Sequence, residues 1–193
     1  SLCHRLAVGN SRVFVKNGFR ESPNTAVHIL LDSSGSMTDS GLMLANAVCY
    51  AVGKALQGIS GVNLGITAFP GANRAKRGTT VAPVLRHGEK LTARFPEIAY
   101  GMTPMAESLW WVMQQMCLLR ENRKIILIIT DGEPDSIPAA QEAFKQAQKK
   151  GFECYGLGIM CPSISTLLPH ASRVIEALPQ LAPALFELLE GAF

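Results

Sequence analysis

The apolar run Val27–Leu31 (VHILL), stopped at Asp32 and followed by Ser33-Ser34-Gly35-Ser36-Met37, constrains the fold more than any other stretch. It is short and bounded by turn residues, the pattern of a strand buried on both faces, as in a parallel sheet. Asp32, Ser34 and Ser36 leave its carboxyl end at alternate positions. Alternate side chains of an extended segment point the same way, so one carboxylate and two hydroxyls converge. Gly35 lets the backbone turn tightly beside them. Hard oxygens at the carboxyl edge of a strand suit a small hard cation such as Mg²⁺. Asp and Ser are also ordinary turn and helix-capping residues, so what else reaches that edge decides between the two readings.

The remaining chain alternates helical and strand patterns. Leu42, Ala45, Asn46, Cys49, Val52, Gly53 and Leu56 recur at helical spacing and predict a helix over 41–57. Val62–Phe69 reads as a second strand and Thr80–Leu85 as a third. The connection between those two is too short for a crossover helix, so they pair antiparallel. Thr103 and Pro104 fit the cap and first position of an apolar helix running to Arg120. Lys124–Thr130 (KIILIIT) is the most strand-like segment and stops at Asp131-Gly132-Glu133-Pro134-Asp135. A helix over 138–150, a strand at Glu153–Ile159, a helical turn at 164–168, a strand at Arg173–Ala177 and a helix over 179–189 complete the order. Strands alternating with helices, plus one hairpin, predict an α/β doubly wound sheet, mainly parallel with one antiparallel edge strand and helices on both faces. Residues 1–23 read as a leader joining a preceding region, with alternation at Arg12–Lys16 like a short edge strand and a break at Ser22-Pro23-Asn24. Residues 24–193 read as the domain proper.

Composition narrows the function. A chain of 193 residues with 48% hydrophobic and 17% charged residues has material for one core-rich domain. A net charge of +3 gives no argument for nucleic acid. No apolar run approaches the ~20 residues that span a bilayer. The five cysteines, Cys3, Cys49, Cys117, Cys154 and Cys161, lack CxxC spacing and sit mostly in apolar segments. With no signal-peptide pattern before them, they predict buried thiols of a cytoplasmic protein. Ser1 in place of Met predicts a fragment or processed chain. The histidines His4, His28, His87 and His170 are scattered without ligand spacing, against zinc or histidine-based catalysis. Between Pro70 and Arg94, the cations Arg74, Lys76, Arg77, Arg86, Lys90 and Arg94 face one acid, Glu89. Arg74–Arg77 follow a strand parallel to the first and belong on its carboxyl edge.

Asp32, Ser34, Ser36, Thr103 and Asp131 each follow a strand end or precede a helix start. In a doubly wound sheet those ends meet in one crevice. The carboxylate of Asp32 is expected at the surface there, so that Asp32→Ala would spare folding. The motifs DSSGSM (32–37), GMTP (101–104) and TDGEP (130–134), in this order and spacing, resemble the von Willebrand factor A domain with its metal-ion-dependent adhesion site. The likeness covers nearly the whole chain from about Asn24, and none of the five positions departs from the pattern. It implies that Ser34, Ser36 and Thr103 offer hydroxyls to Mg²⁺ or Mn²⁺, with Asp32 and Asp131 holding the ion directly or through water. TDGEPD and the leader RLAVGNSRVF resemble, more narrowly, the carboxyl-terminal domain of a cobalt-chelatase subunit and proteins that work beside MoxR-type AAA+ ATPases. That implies a non-catalytic docking domain, with an acidic residue of a partner, an AAA+ ATPase, completing the ion's coordination. Nucleic acid and membrane are not implied. The alternative is a Mg²⁺-dependent phosphohydrolase of the haloacid-dehalogenase type, with Asp32 as nucleophile and Asp131 and Asp135 as later acids. That chemistry normally needs a second Asp where this chain has Ser34.

Overall fold

The computed structural model describes residues 24–37, 39–71, 81–92 and 94–189. In chain order these form β1 (Thr25–Asp32), α1 (Asp39–Gln57), β2 (Val62–Phe69), β3 (Ala82–Leu85), α2 (Met105–Cys117), β4 (Arg123–Thr130), α3 (Ile137–Lys149), β5 (Phe152–Ile159), α4 (Ile164–Leu167) and β6 (Ser172–Ile175). A 3₁₀ turn at Leu178–Gln180 and α5 (Leu181–Leu189) follow. The sheet order is β3-β2-β1-β4-β5-β6, with every pairing parallel except β2–β3. The doubly wound fold read from the sequence is thus present, edge hairpin included. The predicted strand at Arg12–Lys16 and the cations Arg74, Lys76 and Arg77 lie outside the described residues.

Strand alternation sorts the core into two layers. Val27, Ile29 and Leu31 of β1 share one layer with Leu42, Ala45, Val48, Cys49 and Val52 of α1 and with Leu181, Ala184 and Leu188 of α5. Ala26 and Leu30 face α2, α3 and α4, among Leu109, Met113, Phe144 and Ile164. Burying each Ile or Leu of the central strands contributes about 2 kcal/mol of hydrophobic stabilisation. β1 and β4 are buried on both faces, which is why both read as apolar runs, interrupted in β1 only by His28.

Topology positions the site. From β1 the chain crosses over α1 to β2 on one side, whereas β4 lies on the other side of β1 and leads through α3 to β5. The loops after β1 and β4 therefore leave toward opposite faces and open a crevice at the carboxyl edge. The antiparallel run of β3 also divides the basic stretch. Leu85 pairs with Ile66 and Gly88 N–H donates to Asn63 Oδ1 at 2.9 Å, so Arg86 and Lys90 lie toward the amino ends of the parallel strands. They cannot act with a patch at the carboxyl edge.

Candidate metal centre

Asp32 ends β1 and Thr130 ends β4. Leu31 lies opposite Ile129 in the register, so the next residues meet across the crevice, and the Thr130 hydroxyl donates to Asp32 Oδ2 at 2.5 Å. Asp32 Oδ1 accepts the Ser34 N–H at 2.8 Å. Ser34 Oγ and Ser36 Oγ lie 2.9 Å apart, and Ser36 Oγ donates to Asp131 Oδ1 at 3.0 Å. Because that bond uses the Ser36 proton, the Ser34 hydroxyl is the donor to Ser36. Ser33, between the alternating residues, turns the other way and donates from N–H and Oγ to the Phe69 carbonyl at 2.7 and 3.2 Å.

Thr103 joins through its backbone. Its N–H donates to Asp135 Oδ1 at 2.7 Å and its carbonyl accepts the Asp135 N–H at 3.0 Å, tying this loop to the one after β4. Gly35 N–H donates to the Gly101 carbonyl at 3.1 Å, tying the same loop to the one after β1. Gly35 lies in the turn closed by Met37 N–H donating to the Ser34 carbonyl at 3.1 Å, and a Cβ on it would meet the Gly101 carbonyl oxygen at 3.1 Å, so turn and close approach coincide here; Gly101 carries the left-handed backbone, at φ +78°. The capping expectation fails. Pro104 itself occupies the cap position of α2, with no side-chain cap bond, which leaves the Thr103 hydroxyl without a capping role.

Asp32 corrects another expectation: it is fully buried, not at the surface. Burial pushes its carboxyl up to about 6, against the downward pull of hydrogen bonds from Thr130 and Ser34, while the nearby Asp131 charge adds to the rise. Asp131, half-buried, is raised chiefly by burial, against its bond from Ser36. Among the described residues no basic side chain forms an ion pair with either carboxylate. A buried carboxylate lacking a counter-charge, a second one nearby and hydroxyls between them form a donor set of hard oxygens that fits Mg²⁺ or Mn²⁺. Groups of three His, Cys, Asp or Glu side chains placed to hold a metal ion are absent among the described residues, so the oxygen set here depends on its hydroxyls.

The von Willebrand factor type A domain profile matches residues 26–184, which includes every residue of this crevice. The chain belongs to that family. No curated protein matches the sequence. Several solved structures share the A-domain fold. Manganese-loaded TRAP protein of Plasmodium vivax superposes with a TM-score of 0.66 at 14% identity, covering 86% of this chain and 74% of that one. Proximal thread matrix protein 1 from the mussel byssus, with a zinc-occupied MIDAS motif, gives 0.68 at 14% identity, over 89% and 46%. The pilus adhesin SpaC of Lactobacillus rhamnosus GG, in an open conformation, gives 0.69 at 14%, over 89% and 30%. This A domain thus spans less than half of the latter two chains, and at such identity the likeness is one of fold.

Residues beyond the five predicted ligands also shape the crevice. Thr130 and Asp135 flank Asp131 within TDGEPD and hold Asp32 and Thr103 in place. Gly132 leaves room for Ser36, whose Oγ would lie 2.9 Å from an added Cβ. The motif is visible in the sequence; which of its members touch the other loops is not, because those contacts join residues about 30 to 100 positions apart.

Proposed function

We propose that Asp32, Ser34, Ser36, Thr103 and Asp131 hold one Mg²⁺ or Mn²⁺, and that the ion takes a carboxylate from an acidic residue of a partner protein. The hydrogen-bonded run from buried Asp32 through Ser34 and Ser36 to Asp131 carries this reading. Three of the five donors are neutral hydroxyls, so a divalent ion there keeps positive charge and accepts an outside anion. The manganese in the TRAP structure and the zinc in the byssus protein's motif lend it support. Around the same edge Ile98, Met102 and Met160 are 61%, 70% and 71% exposed, apolar surface suited to a protein contact.

The partner we favour is an AAA+ ATPase or chelatase-like assembly in the cytoplasm, on which residues 24–193 dock. The likeness of TDGEPD and RLAVGNSRVF to such subunits supports this, as do the free thiols of Cys49, Cys117, Cys154 and Cys161. A-family domains generally serve interaction rather than catalysis. Full burial of Asp32, with both oxygens engaged, also speaks against its acting as a nucleophile. Association with the ATPase, measured at constant ionic strength, should vanish with chelator and in Thr103→Ala. Unchanged association under both conditions refutes metal bridging. Phosphate-ester turnover with Mg²⁺ that is lost in Asp32→Asn would restore the hydrolase.

A further inference from the structure

We infer that a groove beside the metal centre binds a cationic side chain, a guanidinium above all, carried by the partner whose acid meets the ion. The groove, of about 430 Å³, lies between the first two turns of α1 and the 95–97 segment, and is lined by Asp39, Leu42, Met43, Asn46, Phe95, Pro96 and Glu97. Asp39 stands three residues beyond Ser36 along the chain, which sets the groove next to the ion site.

Its chemistry favours a cation on two separate grounds. Asp39 and Glu97 are exposed carboxylates at its margin, and the ion pairs Arg123–Glu153 and Arg173–Glu187 leave both out. Asn46 Nδ2 donates to the Pro96 carbonyl at 2.8 Å, which ties α1 to the 95–97 segment and sets the width of the groove. Phe95 contributes an aromatic wall, held edge-on by Tyr50 at 6.2 Å and 86°. A guanidinium brings several N–H donors, a positive charge and a plane that stacks on a ring, matching carboxylates and wall together. Nearby cations are placed elsewhere: Lys54 Nζ sits over the Tyr50 ring, 5.5 Å from its centroid, and Arg94 lines the neighbouring cavity with Ser33, Pro70 and Tyr100.

Assigning the cation to the same partner rests on the metal-bridged docking above; the affinity of the groove for a guanidinium does not. The partner surface would then present an acid and a base side by side, the acid for the ion and the base for the groove. A second acid over Asp39 and Glu97 would be repelled, which adds discrimination.

A nuclear magnetic resonance titration of the full chain with N-acetyl-arginine amide tests the groove, with and without Mg²⁺. Saturable millimolar binding is expected, with shifts at the Asn46 side-chain amide, Leu42 and Phe95. The neutral isostere N-acetyl-citrulline amide should produce none of these. Joint Asp39→Asn and Glu97→Gln substitution, at surface positions that do not endanger folding, should weaken arginine binding about fivefold. Equal shifts from citrulline, shifts that never saturate, or parent-like affinity in the double variant would each overturn the inference. Arginine binding in a chain that takes up no ion would keep the groove and remove only the shared partner.

Discussion

Asp32 shows how one residue can serve both fold and site. Its carboxylate closes the β1–β4 crevice by accepting from Ser34 N–H and Thr130, yet burial makes its charge costly in the absence of a cation. Asp32→Asn keeps an acceptor for Ser34 and removes the charge. Thermal denaturation should therefore show a Mg²⁺-dependent rise in Tm for the parent and none for the variant. An equal rise in both would take Asp32 out of the ion site. Gly132 offers a subtler case. A Cβ there would crowd Ser36 Oγ at 2.9 Å without deleting any donor, so Gly132→Ala should weaken ion affinity about tenfold in calorimetry. Parent-like affinity would mean that Ser36 is free to move aside.

At the scale of elements, β1 and β2 are joined on the α2 side of the sheet by a polar relay that the sequence conceals. His28 Nδ1 lies 2.9 Å from His87 Nε2, His28 Nε2 lies 2.9 Å from Thr67 Oγ1, and His87 Nδ1 lies 3.2 Å from the Asn63 carbonyl. That carbonyl can only accept, so His87 Nδ1 bears a proton, His28 Nδ1–H donates to His87 Nε2, and Thr67 donates to His28. The relay fits because Gly65 lies between, where a Cβ would meet the two rings at 2.5 and 2.7 Å. Burial and the neighbouring His87 lower the His28 pKa from 6.5 to about 3, and His87 is lowered too, chiefly by burial. Below pH 6.5 His28 then binds more proton in the unfolded chain than in the folded one, so the contribution of this residue to stability falls as pH drops from 6.5 toward 3, opposite in sign to that of Asp32, whose carboxyl is raised. The loss from His28 is about 1.4 kcal/mol per pH unit. Denaturant unfolding of parent and His28→Gln should diverge by that slope over the first units below pH 6.5; parallel curves would contradict a neutral His28. Histidines that look scattered along the chain thus meet in space, 59 positions apart.

How much can be read from the sequence follows from the range of the interactions involved. The cores of β1, β2, β4 and β5 are legible because burial on both faces writes itself as a local apolar run. The direction of β3 is legible from the length of its connection. Thr103 stands out as a candidate ligand, but its predicted cap does not form, because TP before an apolar run has the same local signature whether or not Asp135 holds the backbone elsewhere. The depth of Asp32 escapes local reading too, since its cover comes from β2 and β4 on either side.

For the whole molecule, the strand order places β1 and β4 side by side with their crossovers diverging, so oxygen donors from loops far apart in sequence share one crevice. The central claim is that this crevice holds one divalent ion through Asp32, Ser34, Ser36, Thr103 and Asp131. Titration calorimetry of metal-stripped protein with Mn²⁺ tests it most directly. A single saturable site in the parent, absent in Asp131→Ala and weakened in Thr103→Ala, is the predicted result. Parent-like binding in Asp131→Ala, or no saturable site in a folded parent, would contradict the account.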